Sequence, residues 1–473
     1  MTAPSSAVAA SAGAVVEGYP SDASVRAGDT LRLHVSTHAP WFRADFYRCG
    51  AQIRHMGSIR GPGRHAPPGR HDADWDWPHH DFPVPEDWPS GVYLAVLGPD
   101  AAPPAPVPSC AEALDARRSR LLFVVRAREP ARTTGILYKV PLFTYHAYNR
   151  SGGGCLYGSP PVSASGKATG EFTVSLRRPG GGTGGPVKGH PDAHAPQTPR
   201  QTFAHWDAPF IAWLEAAGFT AEYCTDLDLH QTPHLTDGYR LLISAGHDEY
   251  WSADTRRNVT AFRDRGGNIA FFGANTCWWR VAVSDDGATA RCAKYPPGAR
   301  EALDVDGTPG APDHWWESAP ENALTGVSYR NGGGYWEGSR PPLGFTVQCT
   351  EHPVFAGTGL SDGDILGAAH SLVGYECDGA AHVRDHRGRA VPTGTDGTPT
   401  DFTILGVADL PLGPASGWQV PAREDPDPAR AATFGLHTKG GTVFTAATTD
   451  WARLLSLDPQ VATLTHNVLT LLS

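Results

Sequence analysis

Hydrophobic and polar residues alternate along the first quarter of the chain. Leu31, Leu33 and Val35 are separated by polar residues, and residues 42–48 repeat the alternation. Turns rich in glycine and proline set off further apolar stretches at residues 92–97 and 121–125. A period of two predicts half-buried strands, and short strands without helices between them are typical of an immunoglobulin-like fold. We therefore predict a β-sandwich domain over residues 15–128, preceded by a disordered tail at residues 1–14.

The pattern changes to an alternation of strands and helices after a linker at Glu129 and Pro130. Asp207 and Ser252 are predicted N-caps of two helices. Predicted strands lie at residues 136–140, 219–223, 239–244, 268–273 and 442–446, and a closing helix places Val461, Leu464, Val468 and Leu471 on one face. Two long segments, residues 159–201 and 378–430, are predicted to be mostly loop. This rhythm predicts an α/β domain over residues 132–473 with a mostly parallel sheet covered on both faces.

Charge and hydropathy argue against two classes of binding partner, nucleic acids and membranes. The formal net charge is −10, and no basic stripe is present, so the sequence predicts no nucleic-acid partner. No apolar run approaches the roughly 20 residues that span a bilayer, which predicts no membrane partner. The 8 cysteines lack metal-site spacing. We expect free thiols in a cytoplasmic protein, although Cys49 with Cys110, or Cys277 with Cys292, could pair in an exported one.

Polar and aromatic residues follow three of the predicted strands. They lie in residues 143–149, 246–251 and 274–280. Because ligands bind beyond the carboxyl ends of parallel strands, we expect these segments to converge at one edge of the sheet. Tyr148, Asn149, Asn275 and Trp278 are the predicted substrate-binding residues of this edge.

The segment from His247 to Tyr250 carries the richest chemistry. An imidazole, two carboxylates and a phenol lie between a buried strand and a helix N-terminus. His247, Asp248 and Glu249 are therefore candidate catalytic residues for proton transfer, and the oxygen atoms could also hold a hard metal ion. The alternative is that Asp248 and Glu249 only balance the helix dipole.

Cys277 is a candidate nucleophile because it follows a strand of the sheet. A buried, inert thiol is the commoner outcome for such a cysteine. Glu321 and Glu376 are isolated acids, for which spacing alone predicts surface or structural positions.

Several ordered motifs resemble one family. SAGHDEYWS at residues 244–252 and GGNIAFFGAN at residues 266–275 are similar to the C-terminal region of the large (beta) subunit of N,N-dimethylformamidase. TYHAYN at residues 144–149, YCTDLDLH at 223–230, TTDW at 448–451 and NVL at 467–469 resemble the same family. The resemblance covers most of residues 136–473.

The resemblance implies a glutamine-amidotransferase-like fold and a metal-assisted hydrolase. In that fold a cysteine often follows a central strand, whereas Ala274 or Asn275 occupies the place here. The characterised enzyme hydrolyses a small N-alkylated formamide with one iron ion held by two tyrosines and one glutamate. By resemblance, Tyr250 is a candidate iron ligand and Glu321 is the suggested glutamate, while the second tyrosine is not assigned. His-Pro-Glu-Tyr of the family is replaced by His-Asp-Glu-Tyr at residues 247–250.

The leading hypothesis is thus a hydrolase that cleaves a non-peptide C–N bond of a small-molecule substrate with the help of iron. One rival is a metal-free hydrolase that uses Cys277 and a nearby histidine. Another is a non-catalytic carbohydrate-binding protein that uses the sandwich and its loops rich in tryptophan. The sequence leaves open whether the chain forms a homo-oligomer.

Overall fold

The computed structural model describes residues 15–100, 119–158, 170–183, 194, 198, 200–294, 302–303, 309–310, 313–336, 338–413, 416–421 and 430–473. The predicted tail at residues 1–14 and Cys110 lie outside these described residues. The helices found within them are all too short or too polar to cross a bilayer.

Two N-terminal sheets form from the alternating segments. Their strands are β1 (Val16–Pro20), β2 (Ser24–Arg26), β3 (Thr30–Thr37), β4 (Trp41–Cys49), β5 (Arg54–Pro62), β6 (His79–Pro83), β7 (Gly91–Pro99) and β8 (Arg120–Arg126). One sheet has the order β1-β3-β6 and the other β2-β8-β7-β4-β5, with β2 and β8 as the parallel pair. Leu31, Leu33 and Val35 of β3 are buried with Phe46 and Tyr93 of the other sheet. The alternation thus predicted correctly which face of β3 is buried.

The central sheet of the second region has nine strands. Five are parallel, in the order β11 (Glu222–Thr225), β9 (Ile136–Val140), β12 (Leu241–His247), β14 (Asn268–Ala274) and β27 (Gly441–Thr445). Four antiparallel strands extend it, namely β26 (Ala431–Lys439), β25 (Thr403–Asp409), β20 (Phe345–Val347) and β21 (Ile365–Leu366). The sheet is therefore mixed, and only the half that carries β9, β12 and β14 has the predicted parallel arrangement.

Among the described residues, shorter strands form four smaller sheets. A four-stranded sheet consists of β10 (Gly170–Ser175), β16 (Thr289–Lys294), β15 (Trp279–Val283) and β13 (Tyr250–Ser252). The remaining pairs are β17 (Ala302–Leu303) with β18 (Pro309–Gly310), β19 (Ser328–Gly334) with β22 (Glu376–Gly379), and β23 (His382–Arg384) with β24 (Ala390–Pro392).

Helices connect these strands. They are α1 (Leu142–Tyr148), α2 (Phe203–Ala216), α3 (Asp226–Gln231), α4 (Ala253–Asp264), α5 (Trp315–Ser318), α6 (Asn322–Thr325), α7 (Trp451–Leu454) and α8 (Pro459–Leu472), with single 3₁₀ turns at Pro353–Phe355 and Ala368–His370. The predicted cap of α4 is confirmed, since the Ser252 hydroxyl accepts from the backbone N–H of Thr255 at 3.0 Å. Residues 143–148, which follow the first predicted strand, lie in α1, and Asn149 is its C-cap.

Asp207 is not the N-cap of α2, because the helix begins earlier, after Thr202. Its carboxylate instead faces the sheet and accepts hydrogen bonds from the hydroxyls of Tyr138 and Tyr145. Burial raises the pKa of Asp207 to about 7. A sequence pattern that favours aspartate at a cap cannot distinguish it from an aspartate that serves buried tyrosines.

Two further expectations were wrong in detail. Residues 378–430, predicted as loop, contain β25, a full strand of the central sheet. Leu471 of α8 is half exposed, and Leu472 takes its place on the buried face beside Val461, Leu464 and Val468. Glycine, proline and polar residues on both sides of Thr403–Asp409 hid this strand, which pairs on both sides.

The two regions share one hydrophobic cluster. It joins Val92, Leu94, Leu122 and Val124 of the N-terminal sheets to residues of α2 and β9. At the periphery, Arg48 Nη2 lies 2.7 Å from Glu215 Oε1, and the Ser24 hydroxyl donates to Asp228 at 2.5 Å. The predicted boundary near Glu129 and Pro130 falls between β8 and β9, which belong to different sheets.

Candidate active site

A sharp turn follows strand β12 at the carboxyl edge of the sheet. The register places His247, the last residue of β12, opposite Ala274, the last residue of β14. Gly246 has a φ of 72°, and a Cβ atom there would lie 2.5 Å from the Cβ atom of Trp206. Only glycine fits this position. The turn delivers Glu249 and Tyr250 to the region where β13 begins.

Three phenols and one carboxylate form a cluster beyond this turn, in which Tyr157 is partly buried and the other side chains are buried. The Tyr148 hydroxyl donates to Oε2 of Glu249 at 2.7 Å, and the Tyr157 hydroxyl lies 3.5 Å from Oε1. The hydroxyls of Tyr148 and Tyr157 are 2.8 Å apart, and that of Tyr250 donates to Tyr157 at 3.0 Å. Burial, and then the charge of Glu249, raises the pKa of each phenol well above its ordinary value. Without a cation between them, the three phenols are therefore protonated.

Lys294 brings a positive charge to the cluster from the end of β16. Its ammonium donates to the hydroxyl of Tyr250. It also lies 3.5 Å from the ring centroid of Tyr157 and 4.3 Å from that of Trp279. The side chain is fully buried, so these rings and the hydroxyl stabilise a desolvated cation.

His247 faces hydrogen-bond acceptors on both ring nitrogens. Nδ1 lies 2.6 Å from Oε1 of Gln201, while Nε2 lies 2.9 Å from Oε2 of Glu376 and 3.5 Å from Oε2 of Glu249. Burial lowers the pKa of His247, but the charges of Glu376 and Glu249 outweigh it and raise the pKa above its usual value. His247 therefore lies between two carboxylates whose charges favour its protonated form.

Glu376 is a buried carboxylate that contacts His247 and accepts two further hydrogen bonds. Burial favours its neutral form, but the charge of His247 and hydrogen bonds from Asn275 and Trp336 hold its pKa below the ordinary value. The donors are Nδ2 of Asn275 at 3.1 Å and Nε1 of Trp336 at 3.0 Å. Asn275 has a φ of 51°, and within the described part of the chain its buried Oδ1 atom meets no donor. This amide oxygen is available to a ligand.

Asp248 does not join its neighbours His247 and Glu249. Its Oδ2 atom lies 2.5 Å from Nζ of Lys139 and accepts from the Ser244 hydroxyl at 2.6 Å. Its Oδ1 atom accepts from Nε1 of Trp251 at 2.9 Å. Because these partners hold both carboxylate oxygens, Asp248 contacts neither His247 nor the phenols among the described residues, and its catalytic role stays a prediction.

Two predicted substrate-binding residues are engaged in packing. Asn149 donates to the carbonyl of Pro179 at 2.9 Å and accepts from the backbone N–H of Ser151 at 3.0 Å. Trp278 is buried beside the cluster, with its ring centroid 5.3 Å from that of Tyr329. By contrast, Tyr148 and Asn275 contact the carboxylates of the site directly.

Glu321, the suggested glutamate ligand, is not brought to the tyrosines. It precedes α6 and accepts from the hydroxyl of Ser328. Burial raises the pKa of Glu321 to about 7, and its Oε2 atom has no hydrogen-bond partner among the described residues. The carboxylate that contacts the phenols is Glu249.

Cys277 lies behind the site and is fully buried. Burial raises the pKa of its thiol to about 12, so it is protonated at neutral pH. The described cysteines, Cys277 and Cys292 included, are free of disulfides. These features disfavour a nucleophilic role.

The sequence analysis missed three residues of the site. Glu376 was expected to be structural or at the surface, yet it is buried against His247. An acid inside the apolar run of residues 372–377 was a signal of such burial. Tyr157 lies in a stretch rich in glycine, and Lys294 ends a strand that the sequence did not predict, so neither gave a usable signal.

The oxygen atoms of Tyr148, Tyr157 and Glu249 form a donor set that fits a hard cation. Phenolate and carboxylate oxygens suit ferric iron better than soft ions. A search of the described residues for three or more His, Cys, Asp or Glu side chains placed around a metal position finds none. A metal at this site would therefore need the phenol oxygens as ligands in addition to Glu249.

Comparison with known families agrees with the motifs. The family model described as N,N-dimethylformamidase beta subunit-like, C-terminal, matches residues 41–465. The match begins in β4, so it includes most of the N-terminal sheets as well as the α/β region. The comparison with curated proteins gives no match. Because the family model covers most of the chain and its site, the protein belongs to the N,N-dimethylformamidase beta subunit-like family.

Proposed function

We propose that the protein is an amidohydrolase that cleaves the C–N bond of a small, non-peptide amide with the help of an iron ion. The observation that carries the proposal is the contact of one carboxylate, Glu249, with the phenols of Tyr148 and Tyr157 and with the imidazole of His247. Such a cluster combines oxygen donors for a cation with a mobile proton.

Tyr148, Tyr157 and Glu249 are the proposed iron ligands. Their oxygen atoms lie within 2.7–3.5 Å of one another, so small shifts would direct all of them at one ion. When bound, the ion supplies a Lewis acid for the amide carbonyl. Tyr250 was the first candidate from the resemblance, but its hydroxyl contacts the ammonium of Lys294 rather than Glu249. Because the Tyr250 hydroxyl is bound by the ammonium and by Tyr157 and does not contact Glu249, we assign Tyr250 and Lys294 to orienting Tyr157.

His247 and Glu376 are the proposed proton-transfer pair. Glu376 accepts a proton from the attacking water, and His247 gives one to the departing amine nitrogen. A proton passing from Glu376 to Nε2 of His247, 2.9 Å away, restores the pair after each turnover. Asn275 holds Glu376 through Nδ2, and its Oδ1 atom is left to accept from water or substrate.

The two rival functions have weaker support. A cysteine hydrolase needs an accessible thiolate, and Cys277 is buried with a raised pKa. A carbohydrate-binding role needs exposed aromatic faces, whereas Trp77 and Trp88 are buried within the N-terminal region. Trp75 keeps partial exposure, and Trp41 at the start of β4 is 53% exposed.

Iron analysis of untagged protein is the decisive test. Elemental analysis should give about one iron per chain, and ferric phenolate should give a visible charge-transfer band. Purified protein is then incubated with N-alkylated formamides, and formate and amine are measured. Iron-free, colourless protein that still hydrolyses amides would overturn the metal assignment. Iron-loaded protein without hydrolysis of any small amide would overturn the amidohydrolase assignment.

A further inference from the structure

Arg178 is a fully buried arginine whose donors go to the protein backbone. Nε donates to the carbonyl of Ser175 at 2.8 Å, and Nη2 to that of His146 at 3.0 Å. Nη1 donates to the carbonyls of Asn149 at 2.9 Å and Ser151 at 2.7 Å. One rigid guanidinium therefore binds four carbonyl groups.

Two of these carbonyls, at Asn149 and Ser151, belong to the connection between two proposed ligands, and the carbonyl of His146 lies in the last turn of α1, just before that connection. Tyr148 ends α1, and Tyr157 follows after a turn in which the N–H of Leu156 donates to the carbonyl of Ala147 at 3.0 Å. The carbonyls at the end of a helix have no partner within the helix. Arg178 satisfies those at residues 146, 149 and 151, which lie outside any sheet.

The same connection is tied a second time to the segment of Arg178. Asn149 donates to the carbonyl of Pro179 and accepts from Ser151, as described above. At Gly181, a Cβ atom would lie 2.4 Å from Nε2 of His146, so the chain after Arg178 packs closely against α1. Residues 178–181 thus hold the end of α1 and the following turn.

Burying the charged guanidinium of Arg178 has a desolvation cost, which a neutral stabilising side chain would not have. Burial lowers the pKa of Arg178 to about 10, because desolvation opposes its charge. Its hydrogen bonds go to neutral carbonyls, which compensate a buried charge less well than a carboxylate does. A rigid fork is useful where several carbonyls of an irregular turn must keep fixed positions.

We propose that Arg178 is a positioning residue that sets the separation of the Tyr148 and Tyr157 phenols by fixing the backbone between them. The ligand role of these phenols rests on the proposed function, but their separation does not. Arg178 itself touches no reacting atom. Lysine cannot replace it, because a single ammonium cannot bind four carbonyls that are arranged for a fork.

The test compares Arg178→Lys with wild type, both stripped of metal. Backbone amides of residues 149–158 should exchange with deuterium about tenfold faster or more in the variant, since hydrogen bonds to a charged donor are lost. Crystal structures of both metal-free proteins should show the hydroxyls of Tyr148 and Tyr157 farther apart than 2.8 Å in the variant. Arg263→Lys is the matched control, because Arg263 is equally buried and donates to the carbonyl of Ala323, away from the site.

Unchanged exchange in residues 149–158, or faster exchange with an unchanged hydroxyl separation, would overturn the proposal. If Arg178→Lys does not fold, Asn149→Ala removes the parallel tie to Pro179, and it should increase exchange in the same residues by a smaller factor; exchange equal to wild type would count against the proposal. Iron loading separates this result from the proposed function. If wild type binds iron, Arg178→Lys should hold less of it and its visible band should shift. If wild type binds none, the proposed function fails and the metal-free measurements still decide the role of Arg178.

Discussion

The imidazole of His247 lies 2.9 Å from the carboxylate of Glu376, and both side chains are buried. They belong to different sheets, since His247 ends β12 and Glu376 begins β22. A buried ion pair persists only when further hydrogen bonds compensate for desolvation. The amide oxygen of Gln201 accepts one from His247, and Asn275 and Trp336 donate two to Glu376. The transferable proton is therefore positioned before any substrate arrives.

Glu376→Gln should lower amide hydrolysis by about 100- to 10,000-fold, the usual contribution of a general acid–base group. The amide keeps the size of the side chain but cannot take a proton from water. Iron content should stay at the wild-type level, because Glu376 is not among the proposed ligands. Steady-state rates and elemental analysis on the same preparation check both statements. A variant with wild-type turnover would exclude Glu376 from proton transfer.

Phenylalanine at each tyrosine of the cluster separates ligands from supporting residues. Tyr148→Phe and Tyr157→Phe should each lose most bound iron and the visible band, because each removes one oxygen donor while the ring still packs. Tyr250→Phe should keep its iron, since the Tyr250 hydroxyl contacts Lys294 and Tyr157 but not Glu249. Iron per chain and the absorption spectrum are the measurements. Loss of iron from Tyr250→Phe alone would restore Tyr250 as the ligand and remove Tyr148 and Tyr157.

The carboxyl edge of the site could be predicted because it follows from local patterns. Apolar strands before His247 and before Asn275, and the rule for parallel sheets, place both residues at one edge. The ring centroids of Tyr148 and Tyr250 are 6.2 Å apart, as expected of converging segments. The periodicity of the strands was enough to predict that these segments converge, and no knowledge of contacts between distant segments was needed.

The partners of these residues could not be predicted, because they depend on contacts between distant segments. Glu376 reaches His247 from β22, which pairs with β19 outside the central sheet. Asp248 illustrates the reverse problem. Its position between His247 and Glu249 predicts a catalytic role, yet its carboxylate forms an ion pair with Lys139 of β9. Consecutive side chains in a turn can point to opposite sides of the backbone. The sequence alone does not show which of these sides faces the site.

Glu321→Gln should leave iron binding intact and change how stability depends on pH. Burial raises the pKa of Glu321 from 4.5 to about 7 in the folded protein. Its proton therefore stabilises the fold fully below about pH 4.5, and this contribution is lost as the pH rises to about 7. Glutamine does not titrate, so the free energy of unfolding of the variant, minus that of wild type, should grow by roughly 1.4 kcal/mol per pH unit in this window. Urea unfolding at several pH values measures it. A difference that stays flat with pH would contradict the raised pKa.

Cys277→Ala should retain amide hydrolysis within about twofold, because a buried, protonated thiol is a poor nucleophile. Iodoacetamide should modify Cys277 in wild type only when the protein unfolds, since the side chain is fully buried. Peptide mass spectrometry of native and urea-treated protein reports the modification at this residue. Inactivation of the native enzyme together with alkylation of Cys277 would instead support the metal-free cysteine hydrolase.

Variants of the ion pair between Lys139 and Asp248 test whether Asp248 stabilises the fold or takes part in catalysis. Both side chains are buried, with Nζ of Lys139 2.5 Å from Oδ2 of Asp248 and 4.4 Å from the ring centroid of Trp251. Asp248→Asn alone leaves an uncompensated buried ammonium and should lower the free energy of unfolding by about 3–5 kcal/mol.

The double variant Lys139→Met with Asp248→Asn removes both charges. The asparagine oxygen can still accept from Nε1 of Trp251, and its amide nitrogen can donate to the Ser244 hydroxyl, which donates to the aspartate in wild type. About half of the lost stability should therefore return, since a neutral pair avoids the desolvation of two ions. Hydrolysis per folded molecule should stay within about tenfold of wild type, whereas a proton-transfer role for Asp248 requires a loss of about 100-fold or more. Denaturant unfolding and turnover number on the same samples distinguish the two, because an anchor changes the first and a catalytic carboxylate changes the second.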